Sequence, residues 1–117
     1  MFLLADQLAI ETYHSTADFP VAERFGLQRQ IRRAAVSAVT NIVEGSARRS
    51  TNEYLSFLNV ASASAAEARY LIDLSHRLGF VLLKDQVQLA AGYTELIAGL
   101  QAVIQALALA TSRRLEP

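Results

Sequence analysis

At 117 residues the chain fits one domain, long enough to bury roughly two thirds of the surface its unfolded form exposes. Eleven Lys/Arg balance eleven Asp/Glu, which excludes a global field drawing the chain to nucleic acid or an anionic membrane, and zero cysteines exclude disulfides and thiolate metal sites. The apolar fraction is 52% before the five glycines are added, above the usual ~45 to 50% that includes glycine, and this excess points to an oligomer.

Prolines stand only at 20 and 117, and no long stretch alternates apolar and polar residues, so helix is expected throughout. A first helix is predicted from about Leu3 to Ser15, ending before Asp18-Phe19-Pro20, where proline moves its predecessor out of the α region. Phe19 is expected to tuck this connection onto the core. The run Phe2 to Ala5 is short, has no basic residue before it and meets Asp6 directly, so it is not read as a secretory signal and a cytoplasmic setting is expected.

The second helix is expected from Ala22 or Leu27 to Ala47, with Gly26 an early irregularity and Gly45 marking its end. Ile31, Ala34, Ala35, Ala38 and Ile42 form an apolar stripe at helical spacing. Ser50-Thr51-Asn52-Glu53 has the form of a capping box, in which side-chain oxygens accept from otherwise unpaired backbone N–H groups. The third helix begins there, carries Tyr54, Phe57, Leu58, Ala61, Ala65, Ala68 and Ile72 on one face, and closes near Arg77 with Gly79 beyond it. Its small residues 61–66 allow a neighbouring backbone to come close.

The fourth helix is predicted from about Asp85 to Thr111, with a coiled-coil-like seam of Leu89, Tyr93, Leu96, Leu100, Val103, Leu107 and Ala110. Gly92, Gly99 and Ala106 give it a second face of small residues. It is long enough to span a bilayer, yet Gln88, Thr94, Glu95, Gln101 and Gln105 interrupt it at intervals, so no membrane is expected as a partner. The better reading is a helix covered on two sides, by its own bundle and by a neighbouring subunit, with Gly92, Tyr93, Leu96, Gly99, Leu100 and Val103 at these packing surfaces. A first helix of about four turns cannot cover third and fourth helices of roughly seven turns each. The fold expected is all-α: residues 1–117 as a single antiparallel up-down-up-down four-helix bundle that associates with copies of itself.

Three constellations have chemical content. Arg33, Ser37, Asn41, Glu44 and Arg48 lie on one face of the second helix, either as a solvated stripe or as a partly buried network. The network reading is favoured here, with Arg33 paired to Glu67 across a hairpin of helices two and three. Arg29, Arg32 and Arg33 share one turn, Arg48 and Arg49 stand at the far end, and the segment from Val21 to Arg49 holds six arginines against Glu23 and Glu44. Such residues suit phosphate contacts, although aromatics are not interleaved with them; a scaffold without nucleic-acid affinity is the alternative. Glu11-x-x-His14 and Asp73-x-x-His76 have the spacing of di-iron bundles, and an up-down-up-down order places the two helix ends together. Histidines in last turns more often serve the helix terminus or solvent, so no metal, cofactor or catalytic residue is expected.

From Phe19 to Phe80 the chain resembles the bacterial four-helix-bundle proteins known as the 23S rRNA-intervening sequence protein family. The resemblance rests on Phe19, Pro20, Glu23, Arg24, Phe25 and Leu27; on Gln30, Arg33 and Ala34; on Ser37, Asn41, Ile42, Glu44 and Gly45; and then on Arg48, Phe57, Leu58, Ala61 and Glu67. The family often has proline where Val39 or Thr40 stands, so a straighter second helix is expected, and it often has glycine near Ala63. The resemblance implies a homo-oligomeric ring, commonly a pentamer, and similarity to the accessory protein of diversity-generating retroelements. It also raises RNA, DNA or a nucleic-acid-binding protein as a partner.

Overall fold

The computed structural model describes residues 1–114, so Pro117 lies outside the described residues. Four helices follow one another: α1 (Phe2–Ser15), α2 (Leu27–Ser46), α3 (Thr51–Arg77) and α4 (Leu83–Arg114), with a single 3-10 turn at Val21–Glu23 before α2. Each helix packs on its two neighbours in the cycle α1, α2, α3, α4, and among the described residues the backbones of the diagonal pairs do not approach closely. This is the all-α, up-down-up-down four-helix bundle expected from the helical periodicities.

Local chemistry sets the boundaries. Gly26 is the N-cap of α2, and the Glu23 carboxylate accepts from the Leu27 N–H at 3.3 Å, placing negative charge on a helix N-terminus. The alternative start at Ala22 is therefore not used, because the chain turns at 21–23 and breaks before resuming. Ser50 Oγ accepts from the Glu53 N–H at 3.1 Å and opens α3 as a cap. At its other end Gly79 takes φ 85°, Phe80 N–H donates to Ser75 O and Gly79 N–H to His76 O, each at 2.9 Å. These two bonds make a Schellman ending. Phe80 then tilts against the buried ring of Phe19, with centroids 5.6 Å apart, which ties the α1–α2 and α3–α4 connections together.

The α2–α3 interface is built on alanine. Ala34, Ala35 and Ala38 face Ala61, Ala65 and Ala68, all buried, while Ile31, Ile42, Leu58 and Ile72 supply volume. Gly45 is part of this packing rather than a terminator, since a Cβ there would lie 2.9 Å from Phe57 Cβ. Ser64 faces α2 and Ser62 faces α4, where it accepts from Gln101 Nε2 at 2.8 Å. Ala63 is exposed, so the close crossings do not use that position.

Helix α4 shows where the bundle is incomplete. Leu89, Tyr93, Leu96 and Leu100 are buried, but Val103 and Leu107 are only half-buried and Ala110 is exposed, so the seam fades toward the C-terminus. The cause is length: 14 residues of α1 run about 21 Å against about 48 Å for the 32 of α4. Gly92 lies against Leu8 of α1, where a Cβ would collide with Leu8 Cδ2, whereas a Cβ at Gly99 would meet nothing within 4 Å. Of the two glycines, Gly92 thus serves the chain's own bundle, while Gly99 has open space where a side chain would lie. By length and composition α4 could cross a membrane, yet its Leu89-to-Leu100 seam is occupied by its own bundle.

Buried hydroxyls are answered by backbone carbonyls of their own helix and, between α1 and α4, by one another. Thr12 Oγ1 donates to Leu8 O at 2.7 Å and lies 2.8 Å from the Tyr93 hydroxyl. Thr16 Oγ1 donates to Thr12 O at 2.8 Å, and Ser75 Oγ to Leu71 O at 2.7 Å. Burial pushes the Tyr93 phenol up to about 12.

Candidate functional site

The sequence places four arginines around the start of α2, and the fold decides what they face. Arg32 is the best anchored. Its Nε donates to the buried Thr16 Oγ1 at 3.0 Å, its terminal nitrogen to Tyr13 O at 3.1 Å, and its guanidinium lies 4.5 Å from the centroid of the Tyr13 ring. Arg24 stands over the ring of Phe25 at 5.6 Å. Phe25 itself is 78% exposed, in the last residues before α2 begins, and Tyr13 is 42% exposed on α1.

A cleft of about 580 Å³ runs between these aromatic rings, with Arg24, Arg29, Arg32 and Arg33 on its walls and Val36 within it. Among the described residues no carboxylate lines it. A second cleft, of about 650 Å³, lies on the opposite flank of α2 toward α3 and shares Phe25, Arg29 and Arg33, but it includes Glu67. The expectation that aromatics are not interleaved with the arginines is thereby corrected. Phe25 sits beside Arg24 in sequence, a signal already present there; Tyr13 comes from another helix and reaches the patch only through the α1–α2 packing.

The polar stripe is also rearranged. Ser37 Oγ and Ser64 Oγ are 2.8 Å apart, and Asn41 Nδ2 donates to Ser37 O at 2.8 Å and to Ser37 Oγ at 3.1 Å. The expected Arg33–Glu67 pair is absent among the described residues. Both side chains are exposed on the rim of the α3-side cleft, and Glu67 instead accepts from Gln30 Nε2 at 3.4 Å, one turn before Arg33. Glu44 pairs at 3.6 Å with Arg48, just beyond the end of α2, and the Arg48 guanidinium lies 4.8 Å from the Phe57 ring centroid. The link of the stripe to α3 is thus the half-buried pair of serine hydroxyls, where alanine packing brings α2 and α3 close.

Arg48 and Arg49 line a separate shallow hollow at the α2–α3 turn. The rise of 1.5 Å per residue puts the last residue of α2, Ser46, about 20 Å from Arg33, and Arg48 and Arg49 lie beyond it, so the arginines form two groups at opposite ends of α2. The acid and histidine pairs do not converge either. Glu11 and His14 are on α1 and Asp73 and His76 on α3, a diagonal pair whose backbones do not approach closely. Asp73 pairs with Arg77 at 3.2 Å, His76 Nδ1 donates to Val81 O at 2.8 Å, and Glu11 accepts from Gln7 at 3.1 Å. Among the described residues no three His, Asp or Glu side chains gather in a metal-holding group.

The profile of the 23S rRNA-intervening sequence proteins matches residues 2–102. The chain belongs to this family. The match takes in α1, α2 and α3 whole and most of α4, well beyond the motif-bearing stretch from Phe19 to Phe80. A crystal structure from Bacteroides thetaiotaomicron, described as a protein with unknown function from the S23 ribosomal protein family, is similar in fold. Its TM-score is 0.79 at 22% identity, over 88% of this chain and 96% of that one. No curated protein matches the chain.

Proposed function

We propose that this member of the family is a non-enzymatic, self-associating helical bundle that holds nucleic acid on the arginine-lined face at the start of α2. One observation supports this reading above the others: four arginines and two exposed aromatic rings border a cleft that, among the described residues, no carboxylate lines. Phosphate oxygens match that lining because guanidinium groups donate to them in pairs and release counterions on binding. The names of the family and of its structural neighbour, which refer to ribosomal RNA and a ribosomal protein, favour the same partner class. A non-enzymatic role is supported by where the buried polar groups point. Thr12, Thr16, Ser75 and Tyr93 serve one another and backbone carbonyls.

Self-association is supported by the uncovered length of α4. In one apolar 18-residue stretch of this helix only 11% of the residues are buried, and Leu83, Val87 and Leu109 are exposed at points along the helix. A ring of copies, five as in the family's usual assembly, would cover this surface and bring several arginine clefts onto one particle. The test is binding of labelled RNA and DNA measured by anisotropy across salt, alongside light scattering. The expected result is a particle several times the 12.8 kDa chain, with an affinity that falls steeply as salt rises and is lost on Arg29→Glu with Arg33→Glu. No affinity at low salt would overturn the nucleic-acid reading and leave a scaffold, and a monomer at micromolar concentration would overturn the assembly.

A further inference from the structure

We infer that the cleft between Tyr13 and Phe25 seats an unpaired nucleobase, so that the strand bound is single rather than duplex. This deepens the nucleic-acid reading above and rests on it. An exposed Phe at a helix entry costs solvation and contributes little packing, yet Phe25 is held in place. Gly26 N–H donates to Glu23 O at 3.1 Å, the Glu23 carboxylate caps α2, and Arg24 covers one part of the ring. The opposite wall is equally fixed. Arg32 is held by Thr16 Oγ1, by Tyr13 O and by the Tyr13 ring, and Thr16 is itself tied to the α1 backbone. A guanidinium plane stacked on a ring and hydrogen-bonded at its edge is ordered before any ligand arrives, which lowers the entropy cost of stacking a base on it.

The lining suits a base with its flanking phosphates. Val36 offers apolar contact within the cleft, Ser37 and Thr40 offer hydroxyls, and Arg29 and Arg33 stand beside them for the backbone. A volume of about 580 Å³ is within the usual range for small-ligand sites. Duplex bases keep their faces in the stack and present only phosphates to such a surface, whereas an unpaired base can lay its face on Phe25. Charge complementarity selects this cleft over the neighbouring one, because Glu67 lines only the latter.

The chain contains no tryptophan, so Phe25→Trp introduces a single indole at the proposed stacking position. Titration with a short RNA strand, the matching DNA strand and the duplex of the same sequence, at one salt concentration, reads both affinity and indole quenching. Both single strands are expected to quench the indole and to bind at least about tenfold tighter than the duplex. Phe25→Leu is expected to weaken single-strand binding roughly 5- to 150-fold with an unchanged salt slope, while Arg29→Gln flattens that slope by about 0.7. Because both side chains are exposed, thermal melts of these variants should match the parent. Equal affinity for duplex and single strands, with no quenching and no effect of Phe25→Leu, would overturn the base-seating inference and leave phosphate binding intact. No binding of any strand at low salt would remove both.

Discussion

Replacing Thr12 by Val takes one hydroxyl out of the interior and leaves the shape of the side chain nearly unchanged. The Thr12 hydroxyl has one proton, and it is committed to Leu8 O at 2.7 Å. The Tyr93 phenol, 2.8 Å from the same oxygen, must therefore be the donor of their bond. Thr12→Val leaves that phenol buried without an acceptor, which costs about 1 to 3 kcal/mol. Tyr93→Phe removes the donor instead; Thr12 stays bonded to Leu8 O, and the loss is the net worth of one hydrogen bond, about 0.5 to 1.5 kcal/mol. The double variant should cost no more than Thr12→Val alone, because no polar group is then stranded. Urea denaturation followed by circular dichroism at one fixed protein concentration measures all three, and the slope with urea should stay constant. A larger loss for Tyr93→Phe than for Thr12→Val, or strictly additive losses, would refute the donor assignment.

The same phenol predicts alkaline behaviour. Burial raises Tyr93 from 10.0 to about 12, opposed by Thr12, whose proton can turn to a phenolate, and assisted by the Glu11 charge. The unfolded chain releases this proton near pH 10 and the folded one near 12, so its contribution is full below pH 10 and falls between the two. The fall is roughly 2 to 3 kcal/mol, and Tyr93→Phe should lack it in denaturation series across that range. Gly99→Ala should stabilise by about 0.5 to 1 kcal/mol through helix propensity, since a Cβ there meets nothing within 4 Å. Gly92→Ala drives a methyl into Leu8 and should fall below Gly99→Ala by about 1 to 3 kcal/mol; equal melting shifts for the two would contradict the α1–α4 packing. Arg33→Ala should cost less than about 0.5 kcal/mol in the same denaturation assay, because Arg33 is exposed and unpaired with Glu67. A loss of 2 kcal/mol or more would reinstate a buried pair.

Much of the bundle is legible in the sequence. The stripe from Ile31 to Ile42, the Ser50 cap, the Gly79 ending and the tucked Phe19 all follow from short-range rules and appear where expected. The candidate site was legible only in part. Arg29, Arg32 and Arg33 stood out by spacing, but Tyr13 did not, because 19 residues and the proline turn separate it from the guanidinium it supports. The Arg33–Glu67 pairing failed for a related reason: helical spacing gives the level of a side chain along its axis, not the side of a crossing on which two long side chains emerge.

Helix type, the capped start of α3, the glycine ending of α3 and the inward faces were determined by the sequence alone, since hydrogen bonds three or four residues apart, caps and apolar periodicity are properties of neighbouring residues. The start of α2 and the ends of α4 were not. The amounts of helix were determined there as well: a short α1 beside a long, apolar α4 leaves surface that this chain cannot cover by itself. Only the tertiary structure decided which rings meet which guanidinium groups, that Gly92 receives Leu8 while Gly99 stays open, and that the acid and histidine pairs stand on diagonal helices. Those are distances across the bundle, set by packing register and crossing, and no local pattern carries them.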